Sequence, residues 1–131
     1  MKILLDSHSL IWLYTGNERL SKKAKETIED TQNECFLSLS SVWELSIKIR
    51  LDKMNIGVPL NLFVADLMEN GIQILGIELL HILTIQTMEF HHRDPFDRML
   101  FAQAIAENMN LISVDKIADL YFENEVVKRI W

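Results

Sequence analysis

The sequence predicts an α/β domain built on a mainly parallel β-sheet. Two observations carry this reading. First, short apolar runs alternate with stretches of helical pattern: Lys2-Ile3-Leu4-Leu5, Cys35-Phe36-Leu37-Ser38-Leu39, Ile72 to Ile77 and Leu111-Ile112-Ser113-Val114. Runs that are apolar throughout suit strands covered on both faces, the condition of a parallel sheet. Second, the stretch from Asp94 to Asp115 reads as a helix followed at once by a strand. Asp94 is a good N-cap, Pro95 fits the first helical position, and Asp97 falls in the first turn. Phe96 to Met109 is nearly all apolar or small, so this helix is buried on more than one face. A helix that packs back along its following strand sets its own N-terminus beside the strand's C-terminus. Asp97 and Asp115 are therefore expected at one edge of the sheet.

The elements follow in order. Lys2 to Leu5 is a central strand stopping at Asp6, and Ser7 to Tyr14 is a short apolar helix broken by Gly16-Asn17. Ser21 can cap a helix from Lys22 to about Asp30, and Thr31 to Glu34 is a polar turn. The strand Cys35–Leu39 runs directly into a helix reaching about Leu51, where Ser41 and Glu44 fit a Ser-x-x-Glu capping box. Leu60 to Glu69 is a helix closed by Asn70-Gly71. Ile72 to Ile77 is the third strand. Glu78 to Met88 is read as a helix, although its Ile and Thr content would also serve a strand. The helix opened by Asp94 can end at Asn108 or Asn110, since Asn tolerates the left-handed conformation. Leu111 to Val114 is the fourth strand. A short segment through Tyr121 and an edge strand from Val126 to Trp131 finish the chain.

Its 131 residues suit a single domain, 1–131, large enough for a core of its own. A hydrophobic fraction of 49% with 24% charged residues argues against disorder. The net charge of −6 excludes a protein that merely coats nucleic acid, so any such contact must be local. Cys35 is the only cysteine and sits among apolar residues, as a buried reduced thiol would. No apolar run approaches the ~18–20 residues of a membrane span. Asp6 interrupts the N-terminal run too early for a signal peptide, which points to the cytoplasm.

In a parallel sheet, ligands bind outside the carboxyl ends of the strands. Asp6 follows the first strand, Glu44 lies early in the helix after the second, Asp97 opens the helix before the fourth, and Asp115 follows the fourth. All four should converge on one edge. Each also has a purely structural reading: Glu44 as a capping-box partner, Asp97 as a charge favoured at a helix N-terminus, Asp6 and Asp115 as turn formers. Together they crowd like charges, which persists most easily around a hard divalent cation. Oxygen ligands favour Mg²⁺ or Mn²⁺, and no Cys/His spacing suggests zinc. Such a site suits phosphoryl chemistry, and metal ions would let an acidic protein approach a phosphodiester.

Leu4-Leu5-Asp6-Ser7-His8, Ser40-Ser41-Val42-Trp43-Glu44, Asp94-Pro95-Phe96-Asp97-Arg98 with Ala102-Gln103-Ala104, and Ile112-Ser113-Val114-Asp115 form a pattern. It resembles the PIN-domain ribonucleases, specifically the toxin component of bacterial VapBC toxin–antitoxin pairs, over essentially the whole chain. The Asp-Pro-Phe-Asp-Arg block is its most specific part. The resemblance implies a three-layer α/β/α sandwich with about five parallel strands and Mg²⁺- or Mn²⁺-dependent endonucleolytic cleavage of RNA. It also implies a homodimer and a cognate antitoxin whose tail covers the active site. Carried over by position, the catalytic and metal-binding acids are Asp6, Glu44, Asp97 and Asp115. Serine stands at 113 two residues before the last Asp, where many relatives have Thr; the hydroxyl is kept.

Asp94 reads mainly as the N-cap, with contact to a metal or its waters as the alternative. Ser7 and Ser40 could hydrogen-bond a metal water or a phosphate. Lys48, Arg50, Lys53 and, above these, Arg98 could contact RNA phosphates. His91 and His92 read chiefly as loop or packing residues, with a metal or substrate role as the lesser alternative, His8 and His81 still more so, and Trp12 and Trp43 as core. Two other functions compete: a non-catalytic PIN-like binding module, and another Mg-dependent phosphoryl-transfer domain. An Asp-x-Asp phosphatase would need an acid at position 8, which is His8, and a receiver domain would need paired acids where Asp6-Ser7 stands.

Overall fold

A computed structural model describes residues 1–131. In chain order the elements are β1 (Lys2–Leu5), α1 (Ser7–Thr15), α2 (Lys22–Glu29), β2 (Glu34–Ser38), α3 (Leu39–Arg50), α4 (Leu60–Glu69), β3 (Gln73–Leu75), α5 (Leu79–Thr87), α6 (Pro95–Ala106), β4 (Asn110–Ile112), α7 (Ala118–Phe122) and β5 (Arg129–Ile130). The strands form one sheet in the order β3-β2-β1-β4-β5, parallel throughout. The expected α/β sandwich of about five strands is what forms. No helix is long and apolar enough to cross a membrane.

β1 sits at the centre, and Ile3, Leu4 and Leu5 are wholly buried. Because side chains alternate along a strand, Ile3 and Leu5 face one core and Leu4 the other. The first core gathers Leu10 of α1, Ala24 of α2, Leu45 of α3 and Phe63 and Leu67 of α4. The second gathers Leu100, Phe101 and Ala104 of α6 with Ala118, Tyr121 and Phe122 of α7. These two cores make the three layers.

Local signals set several boundaries as expected. Ser21 Oγ accepts from the Ala24 N–H at 3.1 Å and starts α2. Gly16, at φ 66°, closes α1 in the left-handed conformation that glycine adopts without strain. Asp94 Oδ1 accepts from the Phe96 and Asp97 N–H groups at 2.8 and 3.2 Å, with Pro95 in the first turn of α6. Glu78 to Met88 is helical in its interior, as α5, with the Glu78 N–H donating to His81 Nδ1 at 2.9 Å.

Others differ. The Ser41–Glu44 capping box does not form. β2 passes into α3 without a loop, and Ser38, its last residue, is the cap, accepting from the Ser40 N–H at 3.0 Å. Ser41 and Glu44 therefore lie inside the helix, both buried. Of the two asparagines expected to end α6, Asn108, at φ 55°, makes the exit just past Ala106, while Asn110 already belongs to β4. β3 is trimmed to three residues, β4 stops at Ile112, and β5 keeps only Arg129–Ile130 of the expected edge strand. Trp43 is not core. It is 60% exposed and meets the Phe96 ring edge-on at 5.2 Å. Trp12 is half-buried against the first core.

The Asp94 cap yields a stability prediction. Asp94→Ala leaves two first-turn N–H groups without their acceptor and should cost roughly 0.5–2 kcal/mol of unfolding free energy. Asp94→Asn retains an acceptor oxygen and should stay close to the parent. Urea denaturation of both variants in chelator measures the difference free of any metal effect.

Candidate functional site

The carboxyl ends of β1 and β4 lie side by side where the strand order reverses, β2 and β3 lying to one side and β5 to the other. That is where a doubly wound sheet opens a crevice. A cavity of about 250 Å³ lies there, lined by Asp6, Ser7, Glu44, Asp94, Asp97 and Asp115, with His8, Ser41, Lys48 and Ser113 among its other walls. A larger space of about 620 Å³ opens at the opposite edge of the sheet, around Tyr14, Cys35 and Asp66, away from the acids.

Each acid arrives by a different route. Asp6 is the N-cap of α1, and its Oδ1 accepts from the Ser9 N–H at 2.8 Å. Glu44 sits in the second turn of α3, only 8% exposed. Its Oε1 accepts from Ser7 Oγ at 2.9 Å, and its Oε2 lies 3.3 Å from Lys48 Nζ, one turn along the same helix. Asp97 is in the first turn of α6. Asp115 follows β4 in a turn held by its own N–H donating to Ser113 Oγ at 3.1 Å and by its Oδ1 accepting from the Ile117 N–H at 3.0 Å. The turn-forming role considered for Asp115 is thus real, Asp6 proves to be a helix cap, and both residues still line the cavity.

Burial raises the Asp97 carboxyl above the usual carboxylate range; the negative charges of Asp94 and Glu44 add to the rise, and a hydrogen bond from His92 partly offsets it. Carboxyl oxygens of Glu44, Asp94 and Asp97 can all lie within 4.8 Å of one another, as can donors of His92, Asp97 and Asp115. Asp97 belongs to both sets. Crowded oxygens around a carboxyl that resists ionisation fit a divalent cation, whose charge would relieve both the burial and the repulsion.

Three expectations about supporting residues change. Arg98 does not reach the cavity: it is buried, with Nη1 donating to Glu89 O at 2.8 Å and Tyr121 Oη at 3.0 Å and Nη2 to Ile85 O at 3.3 Å. Its guanidinium also lies 4.4 Å over the Phe90 ring, so it holds the α5–α6 connection rather than a phosphate. Ser40 lines the neighbouring apolar groove instead of the acid cavity, which Ser41 borders in its place. The earlier start of α3 accounts for the exchange. His92, for which a loop or packing role is the main expectation from sequence and a metal or substrate role the lesser one, stands between two of the acids, its Nε2 2.7 Å from Asp97 Oδ2 and 3.8 Å from Asp115 Oδ2. A loop residue has no periodicity to announce it; its only signal is a histidine pair just ahead of Asp94-Pro95. His81, fully buried, bonds Glu107 Oε1 at 2.8 Å and belongs to the scaffold.

Comparisons with known proteins bear on the family and the fold. The chain is 27% identical over 115 residues to Ribonuclease VapC22 of Mycobacterium tuberculosis, covering 87% of each protein. Among solved structures it is similar in fold to VapBC2 from Rickettsia felis bound to a DNA fragment from their promoter, with a TM-score of 0.66, 12% identity and complete coverage of both chains. It is also similar to VapC20 of Mycobacterium tuberculosis, a Sarcin-Ricin loop cleaving toxin, with a TM-score of 0.64 and 14% identity over 90% of this chain and 93% of that one. The family model described as PIN domain matches residues 3–121. With nearly its whole length matched and its acids gathered at the switch point of a parallel sheet, the chain belongs to the PIN-domain family.

Proposed function

We propose that this protein is a metal-dependent endoribonuclease that hydrolyses RNA phosphodiester bonds and acts as the toxin of a toxin–antitoxin pair. The observation that carries the reading is the convergence of Asp6, Glu44, Asp94, Asp97 and Asp115 on one cavity. The likeness to Ribonuclease VapC22 supports RNA as the substrate. Asp6, Glu44, Asp97 and Asp115 would hold Mg²⁺ or Mn²⁺, a choice supported by the preponderance of hard oxygen donors. Such an ion, when bound, supplies Lewis acidity at the phosphodiester and a lowered pKa for water.

The chain's own residues do the remaining work. Ser7 and Lys48 fix the two oxygens of Glu44, and Lys48 keeps a positive charge on the cavity wall that a phosphate oxygen can meet. Asp94 caps the helix that carries Asp97 and so fixes the backbone from which Asp97 projects.

An antitoxin is the partner. The VapBC2 likeness supports it, as does an apolar groove of about 360 Å³ lined by Trp43, Ile82, Phe90, Pro95 and Met99. Phe96 lines both this groove and the acid cavity, so a peptide lying in the groove reaches the acids. The outer face of α5 exposes Leu79, Leu80, Ile82 and Leu83, each more than half exposed, which gives a homodimer its surface.

RNA cleavage should require Mg²⁺ or Mn²⁺ and stop in EDTA; undiminished cleavage in chelator would remove the acids from the chemistry. Asp97→Asn keeps the size and an acceptor for His92 but loses the charge. It should be folded by circular dichroism, nearly inactive on RNA and of little toxicity in cells, whereas Asp94→Asn should keep much of its activity. An inactive Asp94→Asn beside an active Asp97→Asn would show that the roles are reversed.

The raised Asp97 carboxyl gives a pH dependence. In the metal-free protein this group binds its proton more tightly when folded than when unfolded. The stability it contributes is complete below the ordinary aspartate range and is lost as pH rises through its folded pKa. Without metal, Asp97→Asn should therefore melt at or above the parent at pH 7, and the advantage should disappear below about pH 4. Thermal melts in EDTA across this range decide it; a variant that melts well below the parent at neutral pH would make Asp97 a structural residue.

A further inference from the structure

Asp97 is shared by both sets of donors, so its orientation governs the whole site. A first-turn helical aspartate can point in several directions. The Asp94 cap fixes its backbone but not its carboxylate. What touches the carboxylate is His92, with Nε2 at 2.7 Å from Oδ2.

His92 is itself held in place. Its backbone N–H donates to Tyr121 Oη at 2.8 Å, and the same hydroxyl accepts from Arg98 Nη1 at 3.0 Å. Tyr121 is buried in the second core, and Arg98 binds the carbonyls of the loop that carries His92. The imidazole lies near-parallel to Phe101, centroid to centroid 6.3 Å. The ring is thus located by α6 and α7 and aimed at Asp97 from the side of Asp115, whose Oδ2 is 3.8 Å away.

We infer that His92 is a positioning residue for the metal site: its Nε2–H holds one oxygen of Asp97 so that the carboxylate faces the cation. The inference rests on the reading of the acids as a divalent-cation site and adds a nitrogen-bearing side chain to it. No change of protonation is needed, because any form of the ring with a proton on Nε2 can donate. Hydrogen bonds to ligating carboxylates of this kind set their orientation and basicity, and their loss typically costs about 10–100-fold in metal affinity.

The test measures Mn²⁺ binding by calorimetry to the parent, His92→Ala and His92→Gln, each confirmed as folded by circular dichroism in EDTA. Glutamine offers an amide N–H close to the position of Nε2. The expected result is a loss of about 10–100-fold in Mn²⁺ affinity for His92→Ala and recovery of most of it in His92→Gln. RNA cleavage by His92→Ala should follow the same pattern, low at limiting Mn²⁺ and restored when Mn²⁺ saturates. A merely structural role for the side chain would not produce rescue by glutamine together with rescue by metal. Affinity of His92→Ala within two-fold of a Mn²⁺-binding parent would overturn the role of His92 and leave the metal site standing. Nitrogen hyperfine coupling from an imidazole in the Mn²⁺ electron paramagnetic resonance spectrum, absent in both variants, would also overturn it by making His92 a ligand. A parent that binds no Mn²⁺ would overturn the metal site and this inference with it.

Discussion

The constraint on which the molecule depends is the burial of β1 between two parallel neighbours. Ile3, Leu4 and Leu5 have no exposed surface, and β2 and β4 bond to either side of them. Removing those three side chains from water contributes several kcal/mol, roughly 1.5–3 each. No register slip preserves that burial, because moving one residue would bring Asp6 into the strand. Parallel pairing in turn sends every strand out through the same edge. Asp6 and Asp115 must then emerge side by side, and the helices entering and leaving that edge deliver Glu44 and Asp97. The acid cluster is thus a consequence of how this buried central strand is paired.

Holding those acids in place requires polar groups inside α6 and its surroundings that would otherwise weaken the core. Gln103 is fully buried, yet its Oε1 accepts from Ser38 Oγ at 2.6 Å and its Nε2 donates to Gly76 O at 3.2 Å. One side chain thereby joins the end of β2, the segment after β3 and α6. Arg98 does the same for the α5–α6 connection. No buried side-chain nitrogen or oxygen lacks a partner, so these groups carry no unsatisfied burial cost. Their value is geometric. They fix the start of α3, which carries Glu44, and the loop before α6, which carries His92, with respect to Asp97.

What the sequence disclosed and what it concealed divide along the same line. The strands around β1, the Asp94-Pro95 start of α6 and the Ser21 cap were legible because each rests on neighbours in the chain. The start of α3 was not. Ser38, Ser40 and Ser41 can all cap, and the choice falls to Ser38 because it is the residue that pairs with Leu75 at the end of β2. Arg98 offered a cation beside Asp97 in sequence, but carbonyls 6 to 13 residues upstream turn it inward. Trp43 is a large apolar side chain read as core, and it lies outside because the groove against Phe96 is open. His92 depends on a hydroxyl 29 residues further on. In each case the deciding partner is remote, and no local pattern could name it.

The electrostatics of the site then follow from how few cations stand near it. Lys48 brings a positive charge to Glu44, His92 meets Asp97 and Asp115 only through a ring nitrogen, and the chain as a whole carries a net charge of −6. These contacts do not neutralise five carboxylates; burial raises the Asp97 carboxyl, and the charges of Asp94 and Glu44 add to the rise. The cavity is therefore a local deficit of positive charge held open by a rigid sheet edge. Hydrogen bonds from Ser7 Oγ to Glu44 and from the Ser9 and Ile117 N–H groups to Asp6 and Asp115 hold the acids in place without adding a full positive charge. A scaffold that only needed these residues for capping and turns would let their free oxygens point to solvent. Here the fold brings oxygens of Glu44, Asp94 and Asp97 within 4.8 Å of one another, sets Asp97 equally close to Asp115 and His92, and leaves Asp6 on the wall of the same cavity, which makes a cation the group that best completes the site.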